Sequence, residues 1–99
     1  MNTSFDNKGR MVLEVNDTLK IVLDFEAAPE YRSHINGMQV INPDNWLLVR
    51  GEGSDGNSYQ VWYFIENWDI ELEDVDYTEP NDIEDINGKI IWESESWLI

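Results

Sequence analysis

Residues 46–65 are apolar on both faces of any strands they form, and no other stretch limits the fold as tightly. Two runs, Trp-Leu-Leu-Val at 46–49 and Val-Trp-Tyr-Phe-Ile at 61–65, flank the glycine-rich loop 51–57. Asp55-Gly56 within that loop supplies the positive φ angles of a two-residue hairpin turn. With the tip at Asp55-Gly56, Val49 lies opposite Trp62 and Leu47 opposite Phe64. On the other face Leu48 meets Tyr63, Trp46 meets Ile65 and Arg50 meets Val61. Such a hairpin is either covered on both sides, as a central element is, or leaves an aromatic face bare for a partner. The central position is expected, because a bare face of that size invites aggregation.

The rest of the chain repeats the period of two that marks strands. Leu19, Ile21, Leu23 and Phe25 alternate with Lys20, Val22 and Asp24, which predicts a strand with one face on the core. Met11, Leu13 and Val15 form a shorter run before it, with Asn16-Asp17 placed to turn between them; one bent strand is the competing reading. Asn36-Gly37 precedes the apolar run 38–41, and Asn87-Gly88 separates 83–86 from 89–92 as a further hairpin. A helical turn over 82–87 competes there, since Asn81 and Glu84 have capping-box spacing and Gly88 could stop a helix. Residues 27–33, with Pro29 near their start, are expected to form a short helix or a loop.

These patterns predict a single, mainly β domain over residues 1–99. It is a small antiparallel sandwich or open barrel of six to eight short strands, with at most two short helical turns. Residues 1–10 are a candidate flexible segment. Ninety-nine residues with 41% hydrophobic content and five Trp suffice for one modest core.

Charge is the second constraint. Between Glu66 and Asp85 the chain places ten acids and no base. They are Glu66, Asp69, Glu71, Glu73, Asp74, Asp76, Glu79, Asp82, Glu84 and Asp85. Residues 1–65 hold nine acids and five bases, net −4, whereas 66–99 hold twelve acids and Lys89 alone, net −11. That field repels nucleic acid and anionic membrane and attracts basic proteins or cations. Asp69, Glu71 and Glu73 alternate with Ile70 and Leu72. On a strand they would form a rail of carboxylates about 6.6–6.8 Å apart, anchored inward by Ile70 and Leu72. Beyond Leu72 the alternation fades into a loop or sheet edge. A solvated face that protects a sheet edge is the plainer account of any single carboxylate. Halophilic adaptation would spread acids over the whole surface rather than gather them in one third of the chain.

Chemistry of the chain's own is poorly supported. Cysteine is absent and His34 is the only histidine, so a nucleophile would have one candidate base. In an extended Ser33-His34 the two side chains would point to opposite faces. The glycines at 51–56 lack the lysine and spacing of a phosphate loop, and no glycine completes an EF-hand pattern. A cation site among Asp74, Asp76, Asp82 and Asp85 is the one metal reading left open. The expectation is a non-enzymatic protein with no cofactor and no bound metal.

Trp46, Trp62 and Trp92 fall inside strand patterns and are assigned to the core, and Trp97 to finishing its edge. Trp68 and Tyr77 lie among the carboxylates, where an aromatic can meet Arg or Lys by cation–π contact. The partner-binding set is therefore Glu66, Trp68, Asp69, Glu71, Glu73, Asp74, Asp76, Tyr77, Glu79, Asp82, Glu84 and Asp85. The function expected is occlusion of the basic cleft of a nucleic-acid-handling protein, foremost as an immunity protein that neutralises a nuclease toxin. Two alternatives stand beside it: a phage-encoded nucleic-acid mimic that blocks a restriction or CRISPR nuclease, and a structural or sugar-binding β-domain with exposed Trp. The chain has no apolar run near the roughly 18 residues that cross a bilayer and no secretory signal in its polar first ten residues, so a cytoplasmic location is expected.

Overall fold

The computed structural model describes residues 1–94, apart from the side chain of Phe25; Trp97 lies outside the described residues. Nine strands are found there: β1 (Asn2–Phe5), β2 (Met11–Glu14), β3 (Lys20–Pro29), β4 (His34–Ile35), β5 (Met38–Gln39), β6 (Trp46–Gly53), β7 (Ser58–Phe64), β8 (Asp82–Asp85) and β9 (Ile90–Glu93). Seven form one antiparallel sheet in the order β1-β2-β3-β6-β7-β8-β9, and β4-β5 is a separate hairpin. The sheet curls into a half-barrel, so the fold is mainly β and of the open-barrel kind. Among the described residues the only helical element is the 3-10 turn Leu72–Asp74. No helix among the described residues is long and apolar enough to cross a membrane.

The β6–β7 hairpin sits at the centre of the sheet and both of its faces are covered. On the inner face Leu47, Val49, Val61 and Tyr63 join Met11, Leu13, Ile21, Leu23 and Ile83 in the main core. On the outer face Trp46, Leu48 and Trp62 pack with Ile35 and Val40 in a second cluster. Each cover is a long connection: 30–45, carrying β4 and β5, lies on the outer face, and 65–81 lies on the inner face through Val75 and Tyr77.

The hairpin's register differs from the expected one by a residue. Trp46 pairs with Phe64, Leu47 with Tyr63, Leu48 with Trp62, Val49 with Val61 and Arg50 with Gln60. The cause is a three-residue loop. The Gly53 amide donates to the Asn57 carbonyl at 2.8 Å, and Gly56 takes the left-handed position at φ 85°. A three-residue loop of this kind adds one residue to the two-residue turn that Asp55-Gly56 suggests. The slip sets Trp46 opposite Phe64, with Trp46 edge-on to both Trp62 and Phe64.

Other expectations resolve similarly. Residues 15–19 do turn between β2 and β3, with Asn16 Oδ1 accepting from the Thr18 and Leu19 amides. Residues 83–92 form a hairpin and not a helical turn, closed by Asp85 and Lys89 around Gly88. Residues 1–10 contribute the edge strand β1 and a turn, with the Asp6 amide bonded to the Arg10 carbonyl at 2.9 Å. Asp6 holds that turn through the Lys8 and Arg10 amides and the Arg10 guanidinium. No helix forms at 27–33. Strand β3 instead runs on to Pro29 after a bulge between Asp24 and Ala28. Pro29 is tolerated because β2 pairs only with 20–22 of β3, which leaves the far half of β3 as an edge with no ladder for the missing N–H.

A buried ionic cluster fastens the outer cover to the sheet. Arg32, 4% exposed, reaches Asp82 with two parallel hydrogen bonds, Nη1 to Oδ1 at 2.9 Å and Nη2 to Oδ2 at 2.7 Å. Nη2 also lies 3.2 Å from Glu84 Oε2, and the other oxygen of Glu84 accepts from the Trp62 indole at 2.7 Å. The guanidinium carbon stands 4.7 Å from the Trp46 ring and 4.3 Å from that of Trp62. Two carboxylates, the Trp62 indole and one arginine thus pair with one another beneath the Trp46 ring, in a site from which water is largely excluded.

Two outcomes follow for stability. Arg32→Ala leaves two carboxylates buried without their counter-charge and is expected to cost about 3–5 kcal/mol in urea unfolding. The triple variant R32M/D82L/E84Q, which removes both buried charges and keeps an acceptor for the Trp62 indole, is expected to recover most of that loss. Gly51 of β6 pairs with Leu23 of β3, and a Cβ there would run into Ile21 and the Val22 carbonyl. Gly51→Val is expected to cost about 1–3 kcal/mol or more by the same measurement.

Candidate functional site

Segment 65–81 leaves β7 at the end of the central hairpin and crosses the inner face to reach β8. Four side chains fix its course. Asn45 Nδ2 donates to the Ile65 carbonyl at 2.7 Å, and the Trp68 indole donates to the Asp44 carbonyl at 2.9 Å. Tyr77 donates from its hydroxyl to the Leu72 carbonyl at 2.6 Å. Tyr63, rising from the core of β7, donates to the Tyr77 carbonyl at 2.8 Å and packs edge-on to the Tyr77 ring. Asp76 folds the descent by accepting from the Thr78 amide and hydroxyl. Acidic composition alone would leave such a segment loose; the tyrosines and tryptophan supply what the carboxylates cannot.

The expected carboxylate rail is not formed. Residues 69–73 are not a strand, and Ile70 and Leu72 are not anchored inward but stand 41% and 39% exposed. The alternation of acid and aliphatic residues is real, yet no neighbouring strand offers a ladder, and the backbone closes a 3-10 turn with Asp74 N bonded to Glu71 O at 2.9 Å.

The twelve residues predicted for partner binding divide into three groups. Glu66, Asp69, Glu71, Glu73, Asp74, Asp76 and Glu79 are exposed on the loop, with Trp68 among them and Tyr77 half-buried beneath. Asp82 and Glu84 are buried in the Arg32 cluster and offer nothing to a partner. Asp85 is spent on the β8–β9 turn, accepting from the Asn87 and Lys89 amides. Sequence periodicity could not separate these groups, because the base that buries Asp82 and Glu84 lies fifty positions away in the chain.

Among the described residues, ion pairs join Arg10 to Asp6, Lys20 to Glu14, and Arg32 to Asp82 and Glu84. None involves the seven loop acids, so their charge is uncompensated within the chain. A groove of about 460 Å³ opens beside the loop, with Tyr63 and Val75 in its lining and Glu66, Asp69, Asp76 and Glu79 around it. No three acid or histidine side chains among the described residues group as a metal would require, and Asp82 is withdrawn from the candidate cation set by its pairing with Arg32.

Ser33 and His34 do meet, contrary to the expectation that they face apart: His34 Nδ1 lies 2.9 Å from Ser33 Oγ. Ser33 precedes β4 and does not share its alternation. Both are exposed, and among the described residues no carboxylate pairs with the ring to orient it as a base. Sequence reading also missed the exposed apolar residues Tyr31, Met38 and Ile41. The run 38–41 reads as a core strand, and only Asn42-Pro43 after it hints that the strand stops early.

Burial pushes the Tyr63 hydroxyl well above the usual tyrosine range, with Tyr77 and Asp76 adding to the rise. An unfolded tyrosine ionises near pH 10. The neutral, buried Tyr63 therefore contributes stability that is whole below about pH 10 and is lost progressively above it. Stability in urea is expected to fall above that pH by about 1.4 kcal/mol per pH unit for this group, and Tyr63→Phe should flatten that part of the slope.

Compared with protein-family models, with curated proteins and with solved structures, the chain matches none of them.

Proposed function

We propose that this protein is a non-enzymatic inhibitor that docks its acidic loop over the basic cleft of a nucleic-acid-handling protein. Its most specific form is an immunity protein that neutralises a nuclease toxin in the cytoplasm of the cell that makes it. The supporting observation is the set of seven exposed loop carboxylates with no ion pair inside the chain, interspersed with exposed Trp68, Ile70 and Leu72. Nuclease clefts are positive because their substrates carry a phosphate at every step. Carboxylates in a fixed loop steer such a surface into place and exclude the substrate, while desolvated apolar anchors slow dissociation. A sugar-binding reading gains less: of the described tryptophans, Trp46 and Trp62 are buried and Trp92 half-buried, leaving Trp68 as the one exposed indole.

The partner expected is a nuclease with a basic catalytic domain, encoded directly upstream. Glu71, Glu73 and Asp74 flank and form the 3-10 turn without side-chain bonds to the fold, so the triple reversal E71K/E73K/D74K should leave unfolding unchanged and abolish inhibition in a nuclease assay. Wild-type affinity should fall with added salt, chiefly through slower association. Full inhibition by the triple variant at wild-type concentration would remove the loop from the interface.

A further inference from the structure

Both long connections leave the central hairpin at the same end, where β6 begins at Trp46 and β7 stops at Phe64. They are laced together there. The Ile65 amide donates to the Asn45 carbonyl at 2.8 Å, the Asn45 side chain donates back to the Ile65 carbonyl at 2.7 Å, and Trp68 donates to Asp44 at 2.9 Å. The outer connection buries Arg32, Ile35 and Val40 against the sheet and turns Tyr31, Met38 and Ile41 outward at 68%, 74% and 84% exposure. These side chains are more exposed than Trp68, Ile70 or Leu72 on the acidic loop. Neither the core nor a strand ladder requires large apolar groups at these exposed positions. Large apolar side chains exposed together on one short connection point to an interaction surface.

We infer that Tyr31, Met38 and Ile41 form the apolar half of one docking surface whose acidic half is loop 66–79, and that its occupant is a basic protein segment with large apolar side chains set between its Lys and Arg. This deepens the inhibitor reading and rests on it. Continuity comes from the laced turns, which place Ile41 and Trp68 on adjoining segments. Charge selects the occupant. Asp44, Glu66 and Asp69 are exposed on those same turns, so whatever covers Ile41 must bring positive charge beside it. A second copy of this chain, at −15, would bring carboxylates against carboxylates. Lysine alone would satisfy the acids and leave the hairpin uncovered.

Two synthetic peptides of equal length and charge separate the halves: one with lysines spaced by glycine and serine, one with Leu and Trp in the spacer positions. In amide-resolved NMR titrations at low salt, the first peptide is expected to shift resonances of 66–79 alone. The second should also shift Tyr31, Met38 and Ile41 and bind roughly tenfold tighter. The variant M38S/I41S changes two exposed side chains, so it should fold normally, lose that gain and keep its affinity for the first peptide. Equal affinities for the two peptides, or a gain that survives M38S/I41S, would overturn the inference and leave the acidic loop as the interface. Failure of the first peptide to bind would instead strike the inhibitor reading, and the occupant assigned here with it. A wild-type dimer that M38S/I41S dissolves would give the hairpin face to a second copy and overturn the inference as well.

Discussion

Arg32 is the pivot of this fold. A half-barrel sheet has two faces, and its central hairpin is apolar on both, so the outer face needs a cover that the sheet itself cannot provide. Connection 30–45 is too short and too polar to hold by its own core, with Ile35 and Val40 as its buried aliphatic contribution. One arginine solves this by reaching Asp82 and Glu84 of β8 while lying over two indoles. The desolvation of three charges is a large cost, offset only because the geometry is bidentate and because the Trp62 indole occupies the second oxygen of Glu84. The compensation is not complete, since Arg32 Nε and Trp46 Nε1 are buried without hydrogen-bond partners.

That same cluster explains how much of the molecule could be read from the chain. The strands and most turns are legible because they are local: alternation over 19–24, Asn-Gly and Asp-Gly at the tips, apolar runs at 46–49 and 61–65. The central position of the β6–β7 hairpin was legible too, because a two-faced apolar hairpin has few other places to go. The register was not, because two-residue and three-residue loops share the same Asp-Gly signature and differ only in which amide bonds to which carbonyl. Strand β1 was not legible for a related reason: it is an edge with little apolar content, and the turn after it is held by Asp6 gathering two amides and a guanidinium.

The candidate site was legible in part. A count of acids over 66–85 treats ten carboxylates as alike, whereas seven face solvent, two are buried in an ion cluster and one caps a turn. Only the tertiary pairing with Arg32 sorts them. Ile70 and Leu72 show the converse error. Their alternation with acids has the period of a strand, but periodicity predicts a strand only where another strand is free to pair with it, and 65–81 runs across the inner face of the sheet. The aromatics in this segment are what turn an acidic run into a positioned loop. Tyr63 and Tyr77 hold its far half and Trp68 its near half.

Asn45 has a part out of proportion to its size. Its backbone and its amide group both grip the first residue after β7, on the last residue before β6. The start of one cover is thereby stapled to the finish of the other, and both are clamped to the most deeply buried hairpin in the molecule. Three hydrogen bonds at one end of a hairpin therefore couple the paths of two connections that share no strand ladder, so a change at Asn45 would be felt on both faces of the sheet at once.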